Sequence, residues 1–112
     1  MKVKDLVKKL KLEVAAEGDL EQEVSGGYVS DLLSDVMAQT EDGTIWLTIQ
    51  THENIIAVAA LNDLAAIIIT NEKQPMESTV AKANEQGVSI LLANENSFVI
   101  AGQLYKLGIK GA

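Results

Sequence analysis

Three polar segments, each directly after a predicted buried strand, carry side chains whose types suit ligand binding. The segments read Gln50-Thr51-His52, Thr70-Asn71-Glu72 and Ala93-Asn94-Glu95-Asn96. In open α/β sheets, ligands bind outside the carboxyl ends of the strands, and the helices that follow offer N–H groups to anions. The spacing therefore predicts a ligand site at one edge of a sheet. Its candidate residues are Thr51, His52, Thr70, Asn71 and Asn94, although Thr and Asn are also common helix caps.

Two adjacent glycines, Gly26 and Gly27, are a further candidate for phosphate binding. Successive backbone N–H groups can form a nest that holds an anion. A tight turn explains the same residues, because glycine adopts turn conformations without steric cost. We expect a turn here and keep both glycines as candidate ligand-binding residues.

The residue types needed for catalysis and for metal binding are scarce. The chain has no Cys and a single His, which excludes thiol catalysis, thiolate zinc sites and sites built from several imidazoles. His52 and Glu53 are neighbours on a predicted helix and do not face each other. No Ser-His-Asp set and no phosphate-loop lysine motif is present. The sequence predicts no catalytic residue, no metal site and no cofactor.

Charge is unevenly distributed along the 112 residues, which carry nine Lys, no Arg and 16 acidic residues for a net charge of −7. Residues 1–11 contain five Lys and one Asp, whereas residues 12–72 contain twelve acids and no Lys. This balance disfavours nucleic acid as a partner. The basic segment indicates either a partner surface or the solvated face of an amphipathic helix over 3–10, and we favour the second.

The composition predicts one packed domain spanning residues 1–112, since 47% of the residues are apolar. The longest apolar runs have seven residues, so we expect no membrane span and no membrane partner. Charged residues follow the start too soon for a secretory segment. With no Cys to form disulfides, the expected compartment is the cytoplasm.

Hydrophobic periodicity places these segments on alternating strands and helices. After the helix over 3–10, the predicted strands are 12–16, 44–49, 65–70 and 88–92. The predicted helices are 30–39, 52–62 with Thr51 as its cap, one from Pro75 to Gly87, and 97–107. Such alternation implies right-handed crossovers. We expect an α/β fold of three layers, α/β/α, with a mostly parallel sheet of about five strands.

A predicted helix with no polar side indicates a homodimer. Residues 55–61 read Ile-Ile-Ala-Val-Ala-Ala-Leu, which places apolar side chains all round the helix. One sheet face cannot cover them all, so the chain's expected partner is a second copy of itself. The candidate interface residues are Ile56, Ala59 and Ala60, with Leu32 and Met37 on the neighbouring helix. The alternative is that a loop or the N-terminal helix covers the surplus face within the monomer.

Several segments together resemble the DRTGG domain family over nearly the whole chain. They include 26–31, 44–50, 54–57, 66–70 and 85–88. The resemblance implies the fold of the N-terminal domain of HPr serine kinase/phosphorylase. It also implies a regulatory or dimerising role, as in the domains that lie beside CBS domains in regulated pyrophosphatases. Where the family has Asp-Arg, this chain has Thr51-His52. Where the family has Thr-Gly-Gly, it keeps Thr70 and continues with Asn71-Glu72.

The segment from Gly26 to Met37 resembles single-domain members encoded with iron-only hydrogenase systems, some of which are called serine kinase-like. The kinase description is not expected to apply, because the catalytic domain of the HPr enzyme has no counterpart in 112 residues. The expected function is a non-enzymatic regulatory homodimer that contacts a hydrogenase or electron-transfer protein. The alternative is a sensor of an adenine nucleotide that uses the rim of Thr51, Thr70 and Asn94.

Overall fold

Strands and helices alternate through most of the chain in the computed structural model, which describes all 112 residues. The elements, in chain order, are α1 (Val3–Leu10), β1 (Glu13–Ala16), β2 (Gly26–Val29), α2 (Leu33–Gln39), β3 (Thr44–Thr48), α3 (Asn54–Leu61), β4 (Ala66–Ile69), α4 (Glu77–Gln86), β5 (Ile90–Leu92) and α5 (Ser97–Lys106). No helix is both long enough and apolar enough to cross a membrane.

The five strands form one sheet in the order β1-β5-β4-β3-β2. Strands β2, β3, β4 and β5 are parallel to one another, and β1 pairs antiparallel with β5. The start of β1 therefore lies at the edge where the parallel strands end, with Glu13 opposite Leu92. This sheet confirms the predicted mostly parallel, five-stranded α/β fold.

Helices cover both faces of the sheet because successive strand residues point to opposite sides. Trp46, Ile67 and Ile69 belong to a core that includes residues of α2, α3 and α4. Ile45, Leu47, Ile68 and Leu91 belong to a second core that includes residues of α1 and α5. The central strands β3 and β4 are buried on both faces, which explains their continuous apolar sequences.

The expected turn at Gly26 and Gly27 is wrong, because both residues lie in edge strand β2. The Gly27 N–H donates to the Lys110 carbonyl at 2.8 Å, and the Ala112 N–H donates to the Gly27 carbonyl at 2.9 Å. A Cβ at Gly26 would lie 3.3 Å from the Lys110 oxygen, so the small residue allows the C-terminal segment to approach β2 closely.

Two predicted helix starts are also wrong. Helix α2 begins at Leu33 rather than near 30, because the Ser30 N–H donates to the Leu47 carbonyl and continues the sheet pairing beyond β2. Helix α3 begins at Asn54, and Thr51 does not cap it. The Thr51 carbonyl instead accepts from the Thr79 hydroxyl at 2.7 Å, which joins this loop to α4. At the other end of α4, Gly87 closes the helix with φ +71°, as predicted.

The apolar helix α3 is covered largely within the monomer. Ile56 is 0% exposed and Ala59 is 1% exposed, so these two predicted interface residues belong to the core and present almost no surface to a second copy. The sequence argument failed for them because α3 packs against α2 and α4 as well as against the sheet. Ala60 is partly buried against the same core. Leu32 and Met37 are exposed, as is Leu61 at 67%.

Candidate functional site

A groove opens at the edge where the parallel strands end, beside β5 and the antiparallel strand β1. We call it the carboxyl-edge groove. Its volume is about 470 Å³, and its walls come from the α1–β1 connection, the β5–α5 loop and the middle of α5. Seven of its lining side chains are polar or charged: Lys9, Lys11, Glu13, Gln74, Asn94, Glu95 and Gln103. A polar groove of this size can hold a small hydrophilic ligand.

Only one of the residues predicted from the sequence, Asn94, lines this groove. Thr51 and His52 follow β3, two strands away from β5 in the sheet. The His52 side chain forms a hydrogen bond within its own loop, because its Nδ1 accepts from the Asn54 N–H at 3.2 Å. The three predicted loops therefore follow neighbouring strands at one edge of the sheet, but their side chains do not line one common cavity.

Thr70 lies at this edge with its hydroxyl turned inward. The residue is fully buried, and its Oγ1 lies 2.7 Å from the Ser97 Oγ in the first turn of α5. A buried hydroxyl needs such a partner, because an unpaired one loses its hydrogen bonds to water. Thr70 therefore fastens α5 to the end of β4 and does not face the groove.

Asn71 and Glu72 adopt left-handed backbone conformations, with φ of 62° and 60°. This geometry directs their N–H groups at the next loop: Asn71 donates to the Glu95 carbonyl at 2.8 Å and Glu72 donates to the Ala93 carbonyl at 3.1 Å. Residues 93–95 form one wall of the carboxyl-edge groove. The left-handed pair thus positions that wall through its backbone.

Four of the five lysines in residues 1–11, on or next to α1, fall into two groups. Lys2 and Lys4 form ion pairs with Glu21 at 3.0 and 2.8 Å, and the hydrogen bonds from Lys4 and Lys2 lower the pKa of Glu21. Lys9 and Lys11 have no carboxylate within 4 Å and line the groove. The sequence shows the concentration of lysines in an otherwise acidic chain, but five closely spaced lysines are also typical of a solvated helix face, which was the interpretation favoured above. Lys9 and Lys11 were therefore not among the predicted site residues.

Gly26, Gly27 and two acidic residues of the α2 region have structural roles. Gly26 and Gly27 form no phosphate nest, because the outward N–H and carbonyl of Gly27 are bonded to residues 110 and 112. Asp31 accepts from the Thr48 hydroxyl at 2.8 Å and the Ile49 N–H at 2.9 Å. The Tyr28 hydroxyl donates to Asp35 at 2.8 Å, and this hydrogen bond raises the pKa of Tyr28. No three His, Cys, Asp or Glu residues converge as metal ligands.

A second groove of about 500 Å³ lies at the opposite edge of the sheet, where the parallel strands begin. Its charged lining residues are Asp42 and Asp63, and no lysine reaches it. The two grooves are similar in volume and differ in charge. Only the carboxyl-edge groove offers cationic side chains to a ligand.

Comparison with protein families identifies the fold. The family model described as the DRTGG domain matches residues 5–107. The chain belongs to the DRTGG domain family. The match spans all five strands and all but the first residues of α1, which confirms the resemblance inferred from the sequence. Among curated proteins, none matches the chain.

A solved structure with the same fold contains the CBS and DRTGG domains of the regulatory region of Clostridium perfringens pyrophosphatase, complexed with its activator diadenosine tetraphosphate. The similarity has a TM-score of 0.69 at 12% sequence identity and covers 90% of our chain. Our chain corresponds to 44% of the length of that one. At this identity the likeness establishes a shared fold.

The resemblance inferred from the sequence places the family's Thr-Gly-Gly at Thr70, Asn71 and Glu72, and the last two are the left-handed residues at the sheet edge. Glycine adopts positive φ without the steric cost that other residues incur. Asn tolerates this conformation, whereas Glu rarely adopts it. Asn71 and Glu72 therefore adopt a backbone geometry that glycine adopts more easily.

Proposed function

We propose that this DRTGG domain is a regulatory domain that binds an adenine nucleotide in the carboxyl-edge groove. The observation that carries the proposal is the groove itself, which lies where α/β sheets bind ligands and is lined mainly by polar side chains. Its lysines, carboxylates and amides match the phosphate, ribose and base of a nucleotide. The pyrophosphatase regulatory region, which shares this fold over 44% of its length and was solved with diadenosine tetraphosphate, supports the nucleotide class.

We propose a non-enzymatic role. Nucleophilic catalysis requires a nucleophile beside a base that activates it. The hydroxyl pair of Thr70 and Ser97 is engaged with itself, and His52 lies on another loop with its Nδ1 bonded to the backbone. The groove provides groups that bind a ligand and no pair of groups arranged to transform it.

Thermal unfolding with a panel of AMP, ADP, ATP, diadenosine tetraphosphate and adenosine tests this function. A ligand at a hundredfold excess over its Kd stabilises the folded state by about 2.7 kcal/mol, which raises the Tm of a small domain by several degrees. We expect at least one nucleotide to produce this shift and to lose it in Asn94→Ala. Asn84→Ala, which changes an exposed residue of α4 outside the groove, is the matched control. A flat response to the whole panel contradicts the proposal.

A second candidate function is a homodimer that contacts a partner in hydrogenase or electron-transfer metabolism. The supporting observation is the exposure of three large apolar side chains on or beside α2 and α3: Leu32 at 64%, Met37 at 42% and Leu61 at 67%. The Asn62 amide donates to the Met37 carbonyl at 2.9 Å, so Met37 and Leu61 lie on adjoining helix ends. Exposed apolar side chains that lie together, as Met37 and Leu61 do, are typical of interaction surfaces.

Light scattering decides whether the domain dimerises. We expect a mass near twice the 12.0 kDa of one chain, and we expect Leu61→Glu to halve it. Asn84→Glu, which adds the same charge at an exposed position of α4 away from Met37 and Leu61, is the matched control. A mass of one chain refutes the dimer. Recovery of electron-transfer subunits in a pull-down from native extract would support a partner of this class. If none is recovered and a nucleotide raises the Tm, the results favour the nucleotide-binding function over the partner.

A further inference from the structure

The carboxyl-edge groove holds four charged side chains that are not paired with one another. Lys9 and Lys11 come from the end of α1, Glu13 begins β1, and Glu95 lies in the β5–α5 loop. None of the four takes part in an ion pair within 4 Å, although the chain forms three such pairs elsewhere. Two cations and two anions in one groove are therefore free to contact a ligand.

The balance of these charges defines the ligand's chemistry. With two lysines and two carboxylates, the groove attracts a simple anion only weakly, because the carboxylates oppose it. A ribonucleotide suits both signs of charge. Its phosphate oxygens accept from lysine ammonium groups. Its ribose hydroxyls donate to carboxylates, as they do in dinucleotide-binding folds.

Strained backbone surrounds the same groove. The chain has four non-glycine residues with positive φ, and three of them belong to the groove or hold its wall: Lys11 at 53°, Asn71 at 62° and Glu72 at 60°. Lys11 ends α1, where glycine is the usual residue. The fourth, Asp63, lies at the opposite groove, which has no lysine. Backbone strain persists where surrounding structure enforces it, and it concentrates at functional sites.

We infer that Lys9 and Lys11 bind the phosphate groups of a ribonucleotide in the carboxyl-edge groove, and that Glu13 and Glu95 accept hydrogen bonds from its ribose hydroxyls. The inference rests on the proposed function and deepens it by assigning the groups that recognise the ligand. It also gives the basic N-terminal helix a role that its amphipathic pattern alone does not require. The signature residues 70–72 act as positioning residues, which hold the wall and do not touch the ligand.

Isothermal titration with ADP, 2′-deoxy-ADP, adenosine and pyrophosphate tests the assignment on the full chain. We expect Lys9→Gln/Lys11→Gln to weaken ADP binding at least tenfold and to remove most of its salt dependence. The matched control is Lys8→Gln/Lys82→Gln, which removes the same charge from exposed helix positions outside the groove. We expect this control to bind as the parent does. Glu13→Gln should reduce the preference for ADP over 2′-deoxy-ADP, and adenosine should bind more weakly than ADP.

The outcomes separate the assignment from the proposed function. Equal ADP affinity in the groove variant and the control overturns the assignment and leaves a nucleotide-binding function intact. Pyrophosphate binding that depends on Lys9 and Lys11, without any binding of ADP, supports the phosphate site and refutes the adenine nucleotide. Absence of binding by every probe overturns both. Circular dichroism of each variant verifies that the fold is retained.

Discussion

Replacing Glu72 with glycine should stabilise the protein. Glu72 is exposed, has φ of 60° and takes part in no ion pair, so the substitution removes no salt bridge. Its N–H still donates to the Ala93 carbonyl after the change, because the backbone geometry is the one that glycine prefers. The change in the free energy of unfolding therefore measures the backbone free energy that a non-glycine residue loses in the left-handed conformation.

The expected magnitude is the difference of two backbone terms. A left-handed conformation costs an L-residue roughly 1–2 kcal/mol. Glycine loses more conformational freedom on folding, which costs roughly 0.5–1 kcal/mol. At the midpoints of these ranges the net stabilisation is about 0.75 kcal/mol, which raises the Tm of a domain of this size by roughly 3–5 °C.

Urea denaturation and thermal unfolding of Glu72→Gly measure the effect directly. The control is Lys73→Gly at the next position, where φ is not positive, and this variant should be destabilised. Asn71→Gly should gain less than Glu72→Gly, because Asn tolerates the left-handed region better. If Glu72→Gly is no more stable than the parent while Lys73→Gly is destabilised, residue 72 carries no backbone strain and the reasoning is wrong.

Three further predictions test the core, a buried hydrogen bond and a pH response. Ala59→Glu should abolish cooperative unfolding, because burying an unpaired carboxylate at a position that is only 1% exposed costs several kcal/mol. The control Leu61→Glu, at an exposed position, should keep the circular dichroism spectrum of the folded parent. Thr70→Val should lower the free energy of unfolding, measured by urea denaturation, by about 1–2 kcal/mol, because it removes the 2.7 Å hydrogen bond to Ser97. A loss smaller than a few tenths of a kcal/mol would contradict the role assigned to this pair. The pKa of Tyr28 is raised in the folded state, so the stability that this residue contributes is complete below about pH 10. Above that pH the contribution is lost, because the unfolded state gives up the Tyr28 proton first. The Tm should therefore fall more steeply above about pH 10 in the parent than in Tyr28→Phe, and parallel curves of Tm against pH would contradict this.

Most of the fold follows from local patterns in the sequence. The continuous apolar runs predicted β4 and β5, and alternation with helices predicted parallel pairing. Strand β2 escaped prediction because its sequence, Gly26-Gly27-Tyr28-Val29, combines turn formers with strand formers. What makes it a strand is long-range pairing, with β3 on one side and the C-terminal residues on the other.

The site was harder to predict because it depends on an antiparallel strand and on the ends of separate elements. The rule that ligands bind at the carboxyl ends of strands led to the edge where the carboxyl-edge groove lies and to Asn94, which lines it. It did not reveal that β1 returns beside β5 and brings Lys9, Lys11 and Glu13 to that edge. The burial of Ile56 and Ala59 was likewise hidden, because periodicity shows which side chains are apolar and not how many neighbours cover them.

The measurement that tests the central claim most directly is an NMR titration of the labelled full chain with ADP, following backbone amides and the side-chain amides of Asn94 and Gln103. Binding in the carboxyl-edge groove should shift the signals of residues 9–13, 93–95, Gln74 and Gln103, and leave those of Asp42 and Asp63 in the opposite groove unchanged. Shifts confined to residues outside the carboxyl-edge groove, or no shift at millimolar ADP, would contradict the account.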